Sequence, residues 1–439
     1  MMRILRIKRG HVASDAPPLS DTSATHCLLP TAHYSAVVIG AGPAGAATAT
    51  LLAQKGHDVL LVDRAAFPRP KPCGEYSSPQ TPGILARLGV AAEIEALPPH
   101  RLHGMRVYAP NGTHYAVDYH AVTGEHYAFA IPRIALDPAL VAGARRAGVT
   151  VREGVRCKTV GPWDGNGRAV TLVTPDGDVT VHARLVVGAD GHHSVVARAV
   201  GLAPFRWQHR WPRRVGLVAH YEGVTALDRY GAMVVGGRAF RGYCGVAPLG
   251  EGRANVAFVV NGAMLKARAG SVEAFFDAAV QTLPAVRDAL AGARRVTKVT
   301  GVGPLAQGAR RVVADGVVLV GDAAVYFDPF TGEGVYKALR GAELAAETAD
   351  RALCAGRTDA RALAPYIAAR RGAFFEKTLA NYLVQLFVHV PPLMNYVTPR
   401  LGARPALARQ LVLVLGDLGT KRERRGLFSP AYLWKLLKP

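Results

Sequence analysis

The sequence is poor in cysteine and has no C-x-x-C pair. Its five cysteines, Cys27, Cys73, Cys157, Cys244 and Cys354, are scattered along 439 residues. An odd, dispersed set of this kind excludes a disulfide framework and offers no zinc-binding spacing. The composition therefore predicts a reducing, cytoplasmic compartment and no metal site.

Long apolar runs are also absent. No run reaches the roughly 18 residues that a membrane-spanning helix requires, and the nearest candidate, residues 379–399, is interrupted by polar residues and a Pro-Pro pair. Residues 1–33 carry four basic side chains and a Ser/Thr/Pro-rich stretch, without the apolar core of a signal peptide. We expect no membrane span, and we expect residues 1–33 to be a flexible extension.

Acidic residues are few: 32 against 53 lysines and arginines, for a formal net charge of +21. Such an excess favours acidic partners. Nucleic acid is not expected, because no nucleic-acid-binding motif occurs and the aromatic residues do not interleave with the basic ones. The segment 400–439 has nine lysines or arginines against Asp417 and Glu423. Two interpretations of this segment stay open: peripheral contact with an anionic membrane, or an ordinary helical cap with a solvated basic face.

A glycine-rich turn stands where the sequence becomes regular. The segment Gly40-Ala41-Gly42-Pro43-Ala44-Gly45 fits G-x-G-x-x-G, with a strand-like run before it and a helical pattern after it. The next strand-like run ends at Asp63, followed by Arg64. This context predicts a dinucleotide site, in which the glycines bring a pyrophosphate to a helix N-terminus and Asp63 accepts hydrogen bonds from ribose hydroxyls.

A second glycine motif, residues 321–334, lies far along the chain between a buried strand-like run and a helical pattern. A carboxylate at its start can bind the hydroxyls of a ribityl chain. Its glycines let a helix N-terminus approach a ring that becomes anionic on reduction. The motif therefore indicates a flavin. Its predicted cofactor contacts are Gly321, Asp322, Pro329, Gly332 and Gly334.

A third element, Gly188-Ala189-Asp190, follows another apolar run and precedes a helical pattern. By itself Asp190 is typical of a helix N-cap. Together with the two glycine motifs, it gives the chain a resemblance to the flavoprotein hydroxylase superfamily of the p-hydroxybenzoate hydroxylase type. More narrowly, Lys71-Pro72-Cys73-Gly74-Glu75, Arg133-Ile134-Ala135-Leu136-Asp137 and residues 328–334 are similar to the geranylgeranyl reductase family. The resemblance covers residues 35 to about 355.

The resemblance implies FAD as cofactor and NAD(P)H as reductant, with the glycine loop and Asp63 at the adenosine half. It places Arg133 and Asp322 towards the ribityl chain and pyrophosphate, and Gly332 and Gly334 beside the isoalloxazine ring. Asp190 in such proteins mainly supports the fold around the cofactor.

The resemblance also places Cys73 near the flavin and the substrate, which makes it the predicted catalytic residue. The alternative for a lone cysteine is a small buried hydrophobe.

One strand departs from the family pattern. Isoprenoid reductases of this family and related flavin halogenases carry aromatic residues there, in patterns such as Tyr-x-Trp-x-Phe-Pro. This chain has Tyr243-Cys244-Gly245-Val246-Ala247-Pro248. The small residues disfavour a halogenase and predict a wider cavity, unless other side chains fill it. Tyr243, Gly245 and Ala247 are the predicted substrate contacts.

The expected fold is α/β. A Rossmann-like FAD-binding domain would comprise residues 34–204 and 304–358. A mixed or antiparallel sheet domain for the substrate would comprise residues 205–303, with contributions from 100–131, and a helical C-terminal region would comprise 359–439. This organisation leaves the cofactor domain discontinuous in sequence.

The expected function is an FAD-dependent oxidoreductase that uses NAD(P)H to reduce a double bond of an isoprenoid or other lipophilic substrate. Two alternatives stay open: a monooxygenase acting on an aromatic or polyketide-like substrate, and a non-catalytic flavin-binding membrane adaptor. The expected partners are a small lipophilic substrate and, through the basic C-terminal region, the inner face of a membrane.

Overall fold

A computed structural model describes residues 33–97, 100–124, 127–203, 214–238, 240–267, 270–305, 307–326 and 329–438. The extension expected over residues 1–33, apart from His33, and Asp328 of the second glycine motif lie outside these ranges. The strands are β1 (His33–Ile39), β2 (Val59–Asp63), β3 (Tyr76–Ser77), β4 (His100–Leu102), β5 (Gly104–Tyr108), β6 (His114–Asp118), β7 (Ala128–Ala130), β8 (Thr150–Glu153), β9 (Arg156–Trp163), β10 (Arg168–Thr174), β11 (Gly177–Gly188), β12 (Arg214–Glu222), β13 (Tyr230–Val235), β14 (Gly242–Gly250), β15 (Arg253–Asn261), β16 (Arg294–Arg295), β17 (Thr300–Val302), β18 (Gln307–Gly308), β19 (Val313–Ala314), β20 (Val317–Leu319) and β21 (Val325–Tyr326). The helices are α1 (Pro43–Gln54), α2 (Thr81–Arg87), α3 (Ala91–Ala96), α4 (Tyr119–Thr123), α5 (Arg133–Arg146), α6 (Val195–Ala199), α7 (Gly262–Ala267), α8 (Val272–Thr282), α9 (Pro284–Ala289), α10 (Gly334–Cys354), α11 (Ala360–Leu363), α12 (Pro365–His389), α13 (Pro391–Ala403), α14 (Pro405–Gly416), α15 (Lys421–Arg425) and α16 (Pro430–Leu437).

A sheet that is parallel at its centre forms the first half of the fold. Its strands run in the order β19-β20-β11-β1-β2-β8, and from β20 to β8 each strand is parallel to its neighbours in that series. Strands covered on both faces are apolar throughout, and every residue of β2 is buried. Because the strands are parallel, the segments that follow β1, β11 and β20 meet at one edge of the sheet.

A second, mostly antiparallel sheet takes its strands from separate parts of the chain. Its order is β16-β12-β15-β14-β13-β5-β6, with β17 beside β12. Among the described strands of this sheet, only β13 and β5 pair in parallel. Successive side chains of a strand point to opposite faces: Cys244 and Val246 pack among the residues of α8 and α9, whereas Tyr243 and Ala247 pack among the residues of the C-terminal helices.

The C-terminal helices α12 to α16 cover the second face of this sheet. The apolar segment 379–399 is divided between α12 and α13, because Pro391, the first residue of α13, has no amide hydrogen with which to continue the preceding helix. No helix within the described ranges is both long enough and apolar enough to cross a bilayer. The predicted α/β class, with its inserted sheet and helical C-terminal region, is confirmed.

The segment 64–83, which follows β2, contains two short elements. β3 pairs antiparallel with β7, and α2 begins at Thr81. A two-residue strand has no alternation that a sequence pattern can reveal. The part from Arg64 to Glu75 has no regular structure, and it leads directly to the site described next.

Candidate active site

The glycine loop joins the carboxyl end of β1 to α1, and two of its glycines are required by the fold itself. Gly40 has φ +100°, and a Cβ there would lie 2.5 Å from the carbonyl oxygen of Ala189. A Cβ at Gly45 would lie 1.8 Å from the carbonyl oxygen of Gly40. Any side chain at either position would therefore push the turn away from the sheet or from α1.

Gly42 is different, because a Cβ there would make only ordinary van der Waals contacts. The nearest neighbours of a Cβ at Gly42 would be guanidinium nitrogens of Arg133 and Arg69, each 3.8 Å away. Pro43 and Ala44 follow as the first residues of α1. An anion in front of this helix N-terminus would meet backbone amides on one side and two guanidinium groups on the other.

Asp63, at the end of β2, fixes the shape of the loop. Its Oδ2 accepts a hydrogen bond from the amide of Ala41 at 2.8 Å, and its Oδ1 accepts one from the amide of Ala65 at 2.9 Å. A carboxylate has about four acceptor positions, so Asp63 retains capacity for ribose hydroxyls. The adjacent Arg64 is exposed.

Two guanidinium groups share one buried carboxylate beside the loop. Arg133, the first residue of α5, donates from Nε and Nη2 to the two carboxylate oxygens of Asp137, each at 2.7 Å. Nη1 of Arg69 lies 3.4 Å from Oδ2 of Asp137. Burial by itself would lower the pKa of Arg133, but the carboxylate of Asp137 raises it. The Arg133 guanidinium therefore keeps its positive charge.

Asp322 extends this cluster to the segment after β20. It lies in a 3₁₀ turn, Gly321–Ala323, where burial raises the pKa of its carboxyl and the charges of Lys71 and Arg133 oppose that rise. Burial also lowers the pKa of Lys71, an effect that Asp322 opposes and the nearby arginines reinforce. Counted with Asp63, 3.7 Å from Nη2 of Arg69, and with Arg64, whose charge also acts on Lys71, the cluster has four cationic groups against three carboxylates. One positive charge is thus left over for an anionic ligand.

Gly321 and Gly332 permit close approaches of other side chains. Gly321 has φ +57°, and a Cβ there would lie 2.8 Å from the Cβ of Ala44 in α1. Gly332 has φ +66°, and a Cβ there would lie 2.5 Å from Cδ1 of Tyr76. By contrast, a Cβ at Gly334, the first residue of α10, would meet nothing within 4 Å. The N-terminus of α10 is therefore open to a ligand. Pro329 begins the 3₁₀ turn Pro329–Thr331 just before it.

Asp190 acts on the local fold. Its Oδ2 accepts hydrogen bonds from the amides of Val195 and Val196 at 2.5 and 3.2 Å, at the start of α6. The N-cap residue itself is Ser194, whose hydroxyl accepts from the amide of Ala197. Burial raises the pKa of Asp190. The pattern typical of an N-cap at Asp190 is therefore fulfilled by Ser194. Asp190 adds two hydrogen bonds to the same helix start.

Cys73 lies in a loop that contacts both sheets. Its Sγ accepts a hydrogen bond from the amide of Glu75 at 3.3 Å, and its carbonyl oxygen accepts one from Nδ2 of Asn255 at 2.9 Å. Burial raises the pKa of the Cys73 thiol, although the charge of Arg133 opposes the rise. At neutral pH the group is therefore a thiol and not a thiolate.

Glu75 connects this loop to the second sheet. Its Oε2 lies 2.9 Å from Nε2 of His220 in β12 and 3.1 Å from Nδ2 of Asn255 in β15. Its Oε1 accepts from the backbone amide of Arg133 at 2.8 Å. Glu75 has φ +56°, a strained conformation for a residue with a side chain. Buried and held from three elements, it fixes the position of Cys73.

The predicted substrate strand lies against the second glycine motif. The ring of Tyr243 meets the ring of Phe330 edge-on, with centroids 4.9 Å apart. Ala247 is buried on the same face. A Cβ at Gly245, however, would lie 3.5 Å from Cε of Met233. The wider cavity expected at Gly245 is therefore partly filled, because Met233 occupies the register position opposite it on β13.

The FAD binding domain family matches residues 33–373. The chain belongs to this family. It is 31% identical over 337 residues to digeranylgeranylglycerophospholipid reductase 2 of Methanopyrus kandleri. The aligned region covers 76% of this chain and 81% of that protein. It is 29% identical over 395 residues to the menaquinone reductase of Mycobacterium tuberculosis, with 88% and 92% covered.

Among solved structures, a geranylgeranyl bacteriochlorophyll reductase-like protein of Thermoplasma acidophilum has the same fold. Its TM-score is 0.75 at 21% identity, and the match covers 92% of this chain and 98% of that one. Flavin-dependent halogenases and an anhydrotetracycline hydroxylase also share the fold. The protein is an FAD-dependent oxidoreductase, and at Gly42 its site combines the N-terminus of α1 with two guanidinium groups, which suits a dinucleotide pyrophosphate.

Several residues of this flavoprotein site could not be found from sequence patterns. Lys71 and Glu75 lie in the quoted Cys73 motif, yet nothing in the motif shows that one faces Asp322 and the other His220. His220 and Asn255 are 145 and 180 residues from Glu75. Arg69 stands in a proline-rich stretch without a recognisable pattern. Only the fold brings these groups together.

Proposed function

We propose that this FAD-dependent oxidoreductase reduces a carbon–carbon double bond of an isoprenoid or other lipophilic substrate, with NAD(P)H as reductant. The observation that carries the proposal is the position of the Cys73 loop, which places a protonated thiol between the glycine motifs and the second sheet. Relatives named as reductases of digeranylgeranylglycerophospholipid and of menaquinone support this choice over other flavin chemistry. They also argue against a non-catalytic adaptor.

We assign the cofactor contacts as follows. The backbone of Gly42, Pro43 and Ala44 would face the pyrophosphate together with Arg133, with amide hydrogens donated by Gly42 and Ala44 only, because proline has none. Asp63 would bind the adenosine ribose, and Asp322 would bind the ribityl hydroxyls. The N-terminus of α10, at Gly332 and Gly334, would face the isoalloxazine ring, where a helix dipole favours negative charge. FAD, when bound, supplies the hydride that the substrate receives.

Reduction of a double bond needs a proton as well as a hydride, and we assign the proton to Cys73. Its thiol is protonated because burial raises the pKa, and the amide of Glu75 fixes the position of its Sγ. His220, whose side chain is 31% exposed, contacts the carboxylate of Glu75 and links this loop to solvent. Such a link would let the loop recover a proton after each turnover.

The second candidate is monooxygenation of an aromatic or polyketide-like substrate. The small side chain of Ala247 on the substrate face favours a bulky ring system, and the same cofactor arrangement serves both reactions. Met233 weighs against it, because it fills part of the space at Gly245. We therefore place reduction first.

The proposal includes a cytoplasmic location with peripheral contact between the basic C-terminal region and the inner face of a membrane. Nine lysines or arginines stand against two acidic residues in 400–439. Opposite charge attracts such a segment to anionic lipid headgroups. A lipophilic substrate that resides in the bilayer would then be close to the site.

Anaerobic turnover tests the proposed reaction. The holoenzyme is mixed with NADPH and either a geranylgeranyl lipid or menaquinone, and mass spectrometry follows the gain of two hydrogens per double bond. Cys73→Ser should retain FAD and lose most turnover, whereas Cys354→Ser, at an exposed cysteine, should behave as wild type. Oxygen uptake stoichiometric with a hydroxylated product would overturn reduction in favour of monooxygenation.

A further inference from the structure

Large apolar side chains at the surface are concentrated on one helix. Of the eleven such residues exposed in the described part of the chain, six lie on α12 or directly after it and two lie on α16. The six are Ile367, Phe375, Leu379, Tyr382, Leu386 and Val390. Scattered exposed apolar residues need no explanation, but a contiguous patch marks an interaction surface.

Five of these residues share one side of α12. Phe375, Leu379, Tyr382, Leu386 and Val390 follow one another at intervals of three or four residues, which places them in a single stripe. We call this stripe the apolar face of α12. The exposed fraction is 54% at Phe375 and 51% at Leu386. The face therefore presents ring and aliphatic groups to solvent along most of the helix.

No exposed charge interrupts the apolar face. Between residues 372 and 390 the only charged residues are Glu376 and Lys377. The side chain of Lys377 is 2% exposed and pairs with Glu333 on the inner side of the helix. The side chain of Glu376 is 12% exposed and pairs with Arg424. The inner side of α12 is packed against the protein, so the exposed side is an uninterrupted apolar patch of the kind that marks a membrane or protein interaction surface.

Basic groups border the apolar face. The two carboxylate oxygens of Glu376 contact Nε of Arg424 at 3.1 Å and Nε of Arg425 at 3.4 Å, which brings α15 beside α12. The side chain of Arg425 is 71% exposed, and the neighbouring Lys421 and Arg422 are also exposed. This border complements the negative charge of anionic phospholipids.

The helix α16 adds an aromatic anchor. Residues of α12 and α16 line one apolar cavity, so the two helices are neighbours. Trp434 on α16 is 61% exposed, and Nζ of Lys438 lies 4.8 Å from the centroid of its ring. Tryptophan and tyrosine are enriched at membrane–water interfaces. Tyr382 and Trp434 thus suit the depth of the lipid headgroups.

We propose that the apolar face of α12, together with Trp434, inserts into the interface of an anionic phospholipid bilayer, held there by the basic residues of α15 and α16. The proposal deepens the proposed function, because it names the surface through which a lipophilic substrate would arrive. The inner side of the same helix carries Lys377, whose partner Glu333 directly precedes the cofactor-facing end of α10. Only the width of α12 would therefore separate the lipid from Glu333.

Vesicle flotation of the full chain tests the proposal. The probes are phosphatidylcholine vesicles with and without phosphatidylglycerol. Wild type should float with the anionic vesicles. Salt at about 0.5 M should weaken binding, because it screens the attraction between surface charges. The triple variant Phe375→Gln/Leu379→Gln/Leu386→Gln should bind at least tenfold less. Val272→Gln, a control at an exposed valine of α8, should bind as wild type.

A second variant and two further measurements keep the outcomes distinct. Lys421→Glu/Arg422→Glu should lose the preference for anionic vesicles. Circular dichroism and flavin content should be unchanged in every variant, because the substituted side chains are exposed. Wild type that stays unbound, or a triple variant that binds equally well, would overturn the proposal. If wild type is dimeric and does not bind vesicles, and the triple variant is monomeric, the apolar face of α12 binds a second copy of the chain instead. Vesicle binding without any substrate reduction would refute the proposed function alone.

Discussion

Nζ of Lys377 lies 2.6 Å from Oε1 of Glu333, and the two side chains are only 2% and 3% exposed. Lys377 also donates to the carbonyl oxygen of Leu415 at 2.8 Å. Burial would raise the pKa of Glu333, but the ammonium groups of Lys377 and Lys337 outweigh it and lower the pKa. This buried ion pair joins the start of α10 to the C-terminal helices.

Removal of Lys377 should destabilise the protein strongly. Lys377→Met leaves Glu333 buried with Lys337 alone, 3.0 Å from its Oε2, and we expect a loss of about 3–5 kcal/mol in the free energy of unfolding. Urea denaturation of the flavin-free proteins measures it. The double variant Glu333→Gln/Lys377→Met should recover most of the loss, and an equal loss in the double variant would contradict the ion-pair explanation.

The same pair sets a pH dependence with a defined sign. The pKa of Glu333 is lower in the folded protein than its ordinary value of 4.5. Its contribution to stability is therefore complete above pH 4.5 and is lost as the pH falls through the folded value. The stability difference between wild type and Glu333→Gln should shrink below pH 4.5, which urea titrations at pH 7 and pH 4 would reveal.

Substitution by alanine should have different effects at two glycines of the loop. Gly45→Ala places a Cβ 1.8 Å from the carbonyl oxygen of Gly40, so we expect poor folding or a greatly lowered Tm. Gly42→Ala meets no atom closer than 3.8 Å, so its apo form should fold normally. Because the added methyl group takes up ligand space, Gly42→Ala should bind FAD at least tenfold more weakly in a fluorescence titration. If Gly42→Ala binds FAD with wild-type affinity, the assignment of the pyrophosphate to this position is wrong.

Asp322→Ala should separate stability from cofactor binding. Because burial raises the pKa of Asp322 above its ordinary 3.8, the ionised carboxylate works against folding at every pH above that value. The apo variant should therefore be at least as stable as wild type, yet it should purify with much less flavin absorbance. Asp288→Ala, at an exposed carboxylate, is the control. A fully yellow Asp322→Ala would count against its assignment to the ribityl chain.

Cys73 should react slowly with alkylating reagents in the folded apo protein. The thiolate is the reactive form, and burial raises the pKa of the Cys73 thiol above its ordinary 9.0. At pH 8 iodoacetamide should modify the exposed Cys354 before Cys73, and mass spectrometry of peptides measures the order of these two. Asn255→Ala removes the hydrogen bond to the Cys73 carbonyl, so it should accelerate modification of Cys73. Faster labelling of Cys73 than of Cys354 in wild type would contradict the prediction that Cys73 is a buried, protonated thiol.

The sequence was informative wherever a residue's role depends on its neighbours in the chain. The glycine loop and Asp63 lie within one βαβ unit, and their relationship is local. The order of Asp190 and Asp322 along one sheet edge follows from parallel pairing of buried strands, which are recognisable as apolar runs. These are the parts of the site that a pattern predicts well.

The remainder depends on contacts between distant segments. Glu75 meets His220 and Asn255 only because β12 and β15 lie beside the Cys73 loop. Met233 fills the space at Gly245 because of the register between β13 and β14. Register and pairing partner are set by the whole sheet, so neither can be deduced from a short sequence pattern.

The parallel pairing of β5 with β13 also has a consequence for synthesis of the chain. The pairing is reinforced by an ion pair between Arg106 and Asp228, which are 122 residues apart in sequence. At about 5–20 residues per second, the ribosome needs roughly 6–24 seconds to deliver the second half of this contact. During that interval β5 is paired with β6 but its other edge lacks β13, and an unpaired edge is prone to aggregation. The nascent hairpin is thus exposed to aggregation during synthesis, and we predict that slow translation through residues 119–229 lowers the yield of folded enzyme.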